Sequence, residues 1–222
     1  MASPQPRVGV VTFPGSQDDR DALWALAALD AEAVPVWHEE LELPDVDAVV
    51  LPGGFSYGDY LRCGAIARFS PATTAIREFA DAGGLVLGIC NGFQILCEAG
   101  LLPGALLPND SLRFVFRQVT LDVVDRDTAF TRESPSQLSI PVKHMSGRYY
   151  SPDPVHVVLR YAQGQNPNGS QDDIAAVVNE AGNVFGLMPH PEHAVDPLTG
   201  SADGLTIFES IRAAVGERVA AA

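Results

Sequence analysis

The chain has 222 residues, of which 46% are hydrophobic and 19% charged, with a formal net charge of −14. This length suits one α/β domain or at most two small ones, and the composition excludes a disordered chain. The acidic balance argues against binding to nucleic acid or to an anionic membrane surface, because both need clustered cations. Three cysteines without paired spacing favour a reducing compartment, and no segment resembles a signal peptide or membrane span, so we expect a cytoplasmic protein.

The first half of the chain alternates short apolar runs with helical patterns, and we predict a flexible tail at 1–6 and one domain at 7–222. The predicted strands lie at 7–13, 34–37, 48–51 and 85–89. The predicted helices begin after a cap at Ser16 or Asp18, at Pro71 and at Asn91. Strands that are apolar on both faces and alternate with helices indicate a mostly parallel open sheet flanked by helices.

The second half has a different pattern, in which strand-like segments alternate partially and are separated by turn clusters. These segments lie at 112–124, 137–142, 155–161, 174–179 and 184–187. An amphipathic helix is predicted at 205–221. We therefore expect a single α/β domain whose second half is rich in antiparallel strands.

Cys90 lies where a buried strand gives way to a helix, in the stretch G-I-C-N-G at 88–92. This is the pattern of a nucleophile elbow with cysteine in place of serine. We expect the helix N-terminus to lower the thiol pKa and the amide of Asn91 to point at a developing oxyanion. An ordinary buried cysteine is the alternative, and Cys63 and Cys97, which lack this setting, fit that description better.

His190 and Glu192 supply a candidate base and the carboxylate that orients it. They lie in M-P-H-P-E at 188–192, where two prolines restrict the backbone on either side of the histidine. Glu192 can fix the imidazole tautomer and stabilise its cationic form. His193 could replace His190 on spacing alone, and a loop histidine beside a solvated glutamate is the non-catalytic alternative.

The turn P-G-G-F at 52–55 could supply a second oxyanion amide, because glycine lets a backbone approach a substrate closely. A phosphate-binding loop is the competing use, but neither of the usual glycine-rich nucleotide motifs occurs in the chain. No cysteine and histidine spacing suits a metal, so no metal site is predicted.

These motifs resemble those of class I (triad) glutamine amidotransferases, which share Gly-x-Cys-x-Gly-x-Gln, here at 88–94, and a later His-x-Glu. The string G-G-F-S-Y-G-D-Y-L-R at 53–62 is similar to that of the small glutaminase subunits of phosphoribosylformylglycinamidine synthase, and the resemblance spans about 8–212. It implies a flavodoxin-like fold and a set of site residues: the triad Cys90, His190 and Glu192, oxyanion amides of Gly54 and Asn91, and Gln94 as a substrate ligand.

The resemblance also implies a reaction and partners. Glutamine would be hydrolysed here, and the ammonia would pass to an ATP-dependent synthase that converts formylglycinamide ribonucleotide to formylglycinamidine ribonucleotide in purine biosynthesis. The implied partners are a large PurL-type synthase subunit and a small bridging PurS-type subunit. No cofactor is expected on this chain, with ATP and magnesium bound by the synthase subunit.

The sequence departs from the family at two places. The family usually has His-Gly-Glu-Gly where this chain has H-M-S-G at 144–147, and often Ser-Asn-Cys-Asp where it has S-Q-D-D at 16–19. Three alternatives stay open: the glutaminase of another amidotransferase such as pyridoxal phosphate synthase, a DJ-1-like cysteine hydrolase, and an inactive regulatory subunit. The string at 53–62 counts against the first, and the filled triad positions count against the third.

Overall fold

The computed structural model describes residues 5–221, so most of the tail predicted at 1–6 lies outside the described part. The strands are β1 (Arg7–Thr12), β2 (Glu32–Trp37), β3 (Ala48–Leu51), β4 (Leu85–Ile89), β5 (Ala105–Leu107), β6 (Val115–Val123), β7 (Gln137–His144), β8 (Arg148–Tyr150), β9 (His156–Tyr161), β10 (Ile174–Val178) and β11 (Val184–Leu187). The helices are α1 (Asp19–Ala27), α2 (Pro71–Asp81), α3 (Asn91–Glu98) and α4 (Leu205–Ala221).

Nine of the strands form one sheet in the order β2-β1-β3-β4-β11-β10-β9-β6-β7. The strands from β2 to β11 pair in parallel, and those from β11 to β7 pair antiparallel. The predicted α/β fold with an antiparallel-rich second half is therefore confirmed. The sequence did not predict the separate antiparallel pair of β5 and β8, because both strands are only three residues long.

The central strands are buried along their whole length, as their unbroken apolar sequences require. Every residue of β3, β4, β10 and β11 is buried. A strand with both faces covered cannot alternate apolar and polar residues, so continuous apolar runs mark the middle of the sheet. Within residues 5–221, no helix is long and apolar enough to cross a membrane.

This topology brings four loops to one place. The neighbouring strands β1, β3, β4 and β11 are parallel, so their carboxyl ends meet at the same edge of the sheet. The loops that leave these ends carry Asp18, Gly54, Cys90 and His190 in that order. Open α/β sheets bind ligands at this edge.

Candidate active site

Cys90 occupies a strained turn between β4 and α3. Its backbone has φ 49° and ψ −101°, a left-handed φ that non-glycine residues seldom adopt. A Cβ atom on Gly88 would lie 2.5 Å from Leu96 Cδ1, and one on Gly92 would collide with the carbonyl oxygen of Leu51. The two glycines of the elbow motif are therefore required by close packing under the turn, and strain of this kind is typical of functional sites.

His190 forms a buried pair with Glu192. Its Nδ1 atom lies 2.5 Å from Glu192 Oε1, and the two side chains are 1% and 0% exposed. The buried Nε2 atom of His190 has no hydrogen-bond partner among residues 5–221. Since His190 and Cys90 line the same cavity, this nitrogen is available to exchange a proton with a group in that cavity.

The cavity has a volume of about 120 Å³ and collects most of the predicted site residues. Cys90, His190, Gly54 and Gln94 line it. Glu192 does not line the cavity but contacts His190, which does. The Asn91 side chain holds a lining residue in place, because its Nδ2 atom donates to Gln94 Oε1 at 2.9 Å. His193 does not line the cavity, and its Nε2 atom lies 3.2 Å from Asp18 Oδ1, so the geometry favours His190 as the base.

Among residues 5–221, neither of the two amides predicted to stabilise an oxyanion has a protein acceptor. Asn91 is the first residue of α3, so its amide has no acceptor within the helix. Gly54 has φ +144° and faces Ser16 in an isolated bridge. That bridge uses the carbonyl of Gly53 and the amide of Phe55, and within residues 5–221 the Gly54 amide has no acceptor. This arrangement is compatible with the predicted oxyanion role.

Asp18 is a site residue that the sequence indicated only as a helix cap. It occupies the cap position of α1, but its side chain makes no capping hydrogen bond. Instead its Oδ1 atom lies 2.5 Å from Lys143 Nζ and 3.2 Å from His193 Nε2, and its Oδ2 atom lies 3.6 Å from His190 Nδ1. Burial opposes ionisation, yet the hydrogen bond with His193 and the charges of His190 and Lys143 hold the pKa of Asp18 below its usual range.

The environment of the Cys90 thiol contradicts one expectation. Burial, reinforced by the nearby carboxylates of Asp18 and Glu192, raises the pKa of Cys90 well above its usual value, and Lys143 opposes this only in part. The prediction that the helix N-terminus would lower this pKa is therefore wrong, because desolvation outweighs it. In the free site Cys90 is a thiol that needs a base.

Cys63 lines the same cavity, although the sequence gave no sign of it. Its thiol donates to Asp59 Oδ2 at 3.2 Å. Burial and the Asp59 charge raise the pKa of Cys63 to about 12, so this residue is a neutral thiol. Only Cys90 combines the cavity with a strained turn and a neighbouring imidazole.

The segment at 144–147, where the chain departs from its family, still contacts the site. The carbonyl of Ser146 accepts a hydrogen bond from Gln94 Nε2 at 2.7 Å. Asn109 Oδ1 holds the segment from the other side, at 3.0 Å from both His144 Nδ1 and the amide of Gly147. Because the contact with Gln94 is made by a backbone carbonyl, it does not depend on the side chain at position 146.

Four side chains next to the cavity could hold a metal ion on distance alone. Ligand atoms of Asp18, His190, Glu192 and His193 all lie within 4.8 Å of one another. The ammonium of Lys143 lies 2.5 Å from Asp18 Oδ1 and already supplies a positive charge to this cluster. The same side chains also pair with one another and with Lys143, as an ion-paired network next to His190.

Comparison with known proteins identifies the family. The sequence model of the CobB/CobQ-like glutamine amidotransferase domain matches residues 5–206. The PurQ subunit of phosphoribosylformylglycinamidine synthase from Streptomyces avermitilis is 54% identical, covering 92% of this chain and 96% of that protein. The corresponding subunit from Frankia casuarinae is 56% identical, covering 92% of each.

The similarity extends to three-dimensional structure. A chain of the solved PurLQS structure from Thermotoga maritima has a TM-score of 0.91 and 48% identity, covering 95% of this chain and 99% of that chain. A glutamine amidotransferase from the same organism, at 18% identity and a TM-score of 0.67, shares the fold. This chain therefore belongs to the CobB/CobQ-like glutamine amidotransferase family, within its group of PurQ subunits.

Proposed function

We propose that the chain is the glutaminase subunit of phosphoribosylformylglycinamidine synthase, and that Cys90, His190 and Glu192 carry out the hydrolysis. One observation carries the assignment of the residues: a cysteine on a strained turn shares a small cavity with an imidazole whose free nitrogen is buried and unpaired. The identity of 52–56% to PurQ subunits supports the reaction.

The first half of the reaction forms a thioester. His190 Nε2 accepts the Cys90 proton as the sulfur attacks the side-chain carbonyl carbon of glutamine. Amides of Gly54 and Asn91 hold the resulting oxyanion. His190 then returns the proton to the departing nitrogen, and the carbon–nitrogen bond breaks to give ammonia and a γ-glutamyl thioester on Cys90.

The second half hydrolyses that thioester. His190 takes a proton from water, which attacks the thioester carbon, and the sulfur leaves and recovers the proton as glutamate departs. His190 is cationic twice in this cycle, and Glu192 stabilises that cation at 2.5 Å from Nδ1. Because burial raises the pKa of the Cys90 thiol in the free site, His190 acts as a general base that removes the thiol proton during the attack.

Ammonia is consumed on another polypeptide. The relatives bear the name of a synthase subunit, and the similar solved chain comes from an assembly named PurLQS. We therefore assign a PurL-type synthase, which would bind ATP and magnesium, and a PurS-type bridging subunit as cytoplasmic partners. Phe55, Phe114 and Met145 supply a surface for such a partner, since they line the cavity yet are 38%, 51% and 46% exposed.

Reconstitution with the two other subunits tests this function. Formylglycinamidine ribonucleotide should form from glutamine, ATP and formylglycinamide ribonucleotide only when the chain is present. Glutamate release by the isolated chain should be much slower than in the assembly, because uncoupled hydrolysis would waste glutamine. Equal glutamate release with and without the partners would instead favour a free-standing hydrolase of the DJ-1-like kind.

A further inference from the structure

The cavity is lined by two groups of residues besides Cys90, and the hydrolysis uses only one of them. One group is the network of Asp18 and Lys143, and the other is formed by Asp59, Cys63 and Ser146. The first group surrounds the base. The second contains a carboxylate that has no assigned role.

The Asp59 carboxylate is only half satisfied. Its Oδ2 atom accepts a hydrogen bond from the Cys63 thiol at 3.2 Å, whereas its Oδ1 atom is inaccessible to solvent and has no partner among residues 5–221. A carboxylate oxygen that is buried without a donor costs considerable free energy, since its hydration is lost and not replaced. Burial accordingly raises the pKa of Asp59.

The cations of the neighbourhood are all engaged elsewhere. Arg62 Nη2 donates to Glu98 Oε2 at 2.7 Å, and Arg68 lies 4.0 Å from the same carboxylate. Lys143, the cation that lines the cavity, pairs with Asp18. Within the described part of the chain no basic side chain forms an ion pair with Asp59, so the carboxylate is open to a cationic group of a ligand.

The backbone around Asp59 is strained. Tyr57, Asp59 and Leu61 have φ values of 52°, 56° and 70°, in the left-handed region that disfavours side chains. The Tyr57 hydroxyl fixes this loop, at 2.9 Å from His38 Nδ1 and 2.8 Å from Ser70 Oγ. Strained loops persist where the surrounding contacts determine them, and they commonly position a functional group.

We propose that Asp59 binds the α-ammonium group of glutamine and so makes the site specific for substrates that carry an α-amino group. The proposal rests on the function assigned above. With the substrate carbonyl at Cys90, the α-nitrogen lies four bonds away, roughly 5 Å along an extended chain. Gln94 cannot supply the missing charge, because its side chain is neutral and already bonds Asn91 and Ser146.

The test compares glutamine with glutaramate, which is glutamine without its α-amino group, as substrates of the reconstituted complex. The wild type should prefer glutamine in kcat/KM by roughly 10- to 100-fold, as expected of a charge-assisted hydrogen bond. In Asp59→Asn this preference should largely disappear through a higher KM for glutamine, with little change for glutaramate. The preference is a ratio within one preparation, so a partly folded variant cannot imitate the result.

Asp45→Asn is the matched control, because the Asp45 side chain is fully exposed and pairs with Arg7. It should keep the wild-type preference. If the wild type hydrolyses glutamine but does not discriminate against glutaramate, or if Asp59→Asn keeps the preference, the inference about Asp59 is wrong. If the wild-type complex releases no glutamate from glutamine, the proposed function itself is wrong.

Discussion

His190 Nδ1 and Glu192 Oε1 lie 2.5 Å apart, with both side chains almost completely excluded from solvent. In such surroundings a carboxylate fixes both the orientation and the tautomer of the imidazole, and Nε2 has no hydrogen-bond partner among residues 5–221. The contact with Glu192 therefore gives the loop residue His190 the fixed orientation that a general base needs.

Glu192→Gln should lower glutamine hydrolysis while leaving the fold intact, because the amide keeps the shape of the side chain but loses the charge that stabilises the His190 imidazolium. We expect kcat to fall by about 100-fold, a smaller loss than Cys90→Ala should cause. Steady-state glutamate release by the complex measures the effect. A loss as complete as that of Cys90→Ala would show that Glu192 does more than orient and stabilise its partner.

Gly92→Ala should destabilise the protein, because the added Cβ atom collides with the backbone carbonyl of Leu51. We expect a loss of about 2–4 kcal/mol in the free energy of unfolding, together with loss of activity, since overpacking a rigid turn displaces backbone. Gly216→Ala in α4 is the control, because nothing lies within 4 Å of the new methyl group. It should be neutral or stabilising by up to about 1 kcal/mol. Urea unfolding measures the free energy of unfolding of both variants. Equal values for Gly92→Ala and Gly216→Ala would contradict the packing argument.

Asp18→Asn should change how stability depends on pH. The pKa of Asp18 is lowered in the folded protein, so its contribution is complete above the unfolded value of about 3.9 and is lost as the pH falls through the folded value. The variant should be less stable at pH 7 by about 2 kcal/mol, since Lys143 and His193 lose their charged partner. The difference from wild type should shrink towards pH 3 and below.

Urea unfolding at pH 7 and at pH 3 measures this change, and Asp45→Asn again serves as an exposed control. A difference between Asp18→Asn and wild type that stays constant over this range would show that the ion pairs of Asp18 contribute little.

The glutamine analogue diazo-oxo-norleucine should modify Cys90 and leave Cys63 and Cys97 unmodified. Cys90 lies on the strained turn of the elbow in the cavity that His190 lines, whereas Cys63 has no such turn and its thiol donates to Asp59. A small neutral alkylating agent should react slowly with Cys90 at neutral pH, because its thiol pKa is raised in the free site. Mass mapping of the adducts tests both statements, and an adduct on Cys63 would overturn the assignment of the nucleophile.

Local sequence predicted those parts of the site that depend on a single turn. The glycines of the elbow, the buried runs of the central strands and the His-x-Glu pair are all visible within a few residues, because close packing and strand burial constrain the sequence locally. The parallel order of the strands then accounts for the meeting of Cys90, Gly54 and His190 at one edge.

The remaining features depend on which loops the fold brings together. Asp18 is an acidic residue at the start of a helix, so its sequence position indicates a helix cap and nothing more. Its ion pairs with Lys143 and His193 depend on loops that are distant in sequence. The pKa of Cys90 reflects burial, which no local motif encodes. The contact of Asp59 with Cys63 is different, because the two residues are only four apart in the chain and meet through the path of one strained loop, for which no sequence motif gave a sign.

If the triad only generates ammonia, added ammonium should support the synthase reaction without it. The most direct test is therefore to measure the reconstituted complex that carries Cys90→Ala, once with glutamine and once with ammonium as the nitrogen source. The account predicts that formation of formylglycinamidine ribonucleotide from glutamine is abolished, whereas formation from added ammonium continues at the wild-type rate. Loss of both activities in a complex that still assembles would contradict the division of labour between this chain and the synthase. Retention of the glutamine-dependent activity would contradict the assignment of Cys90 as the nucleophile.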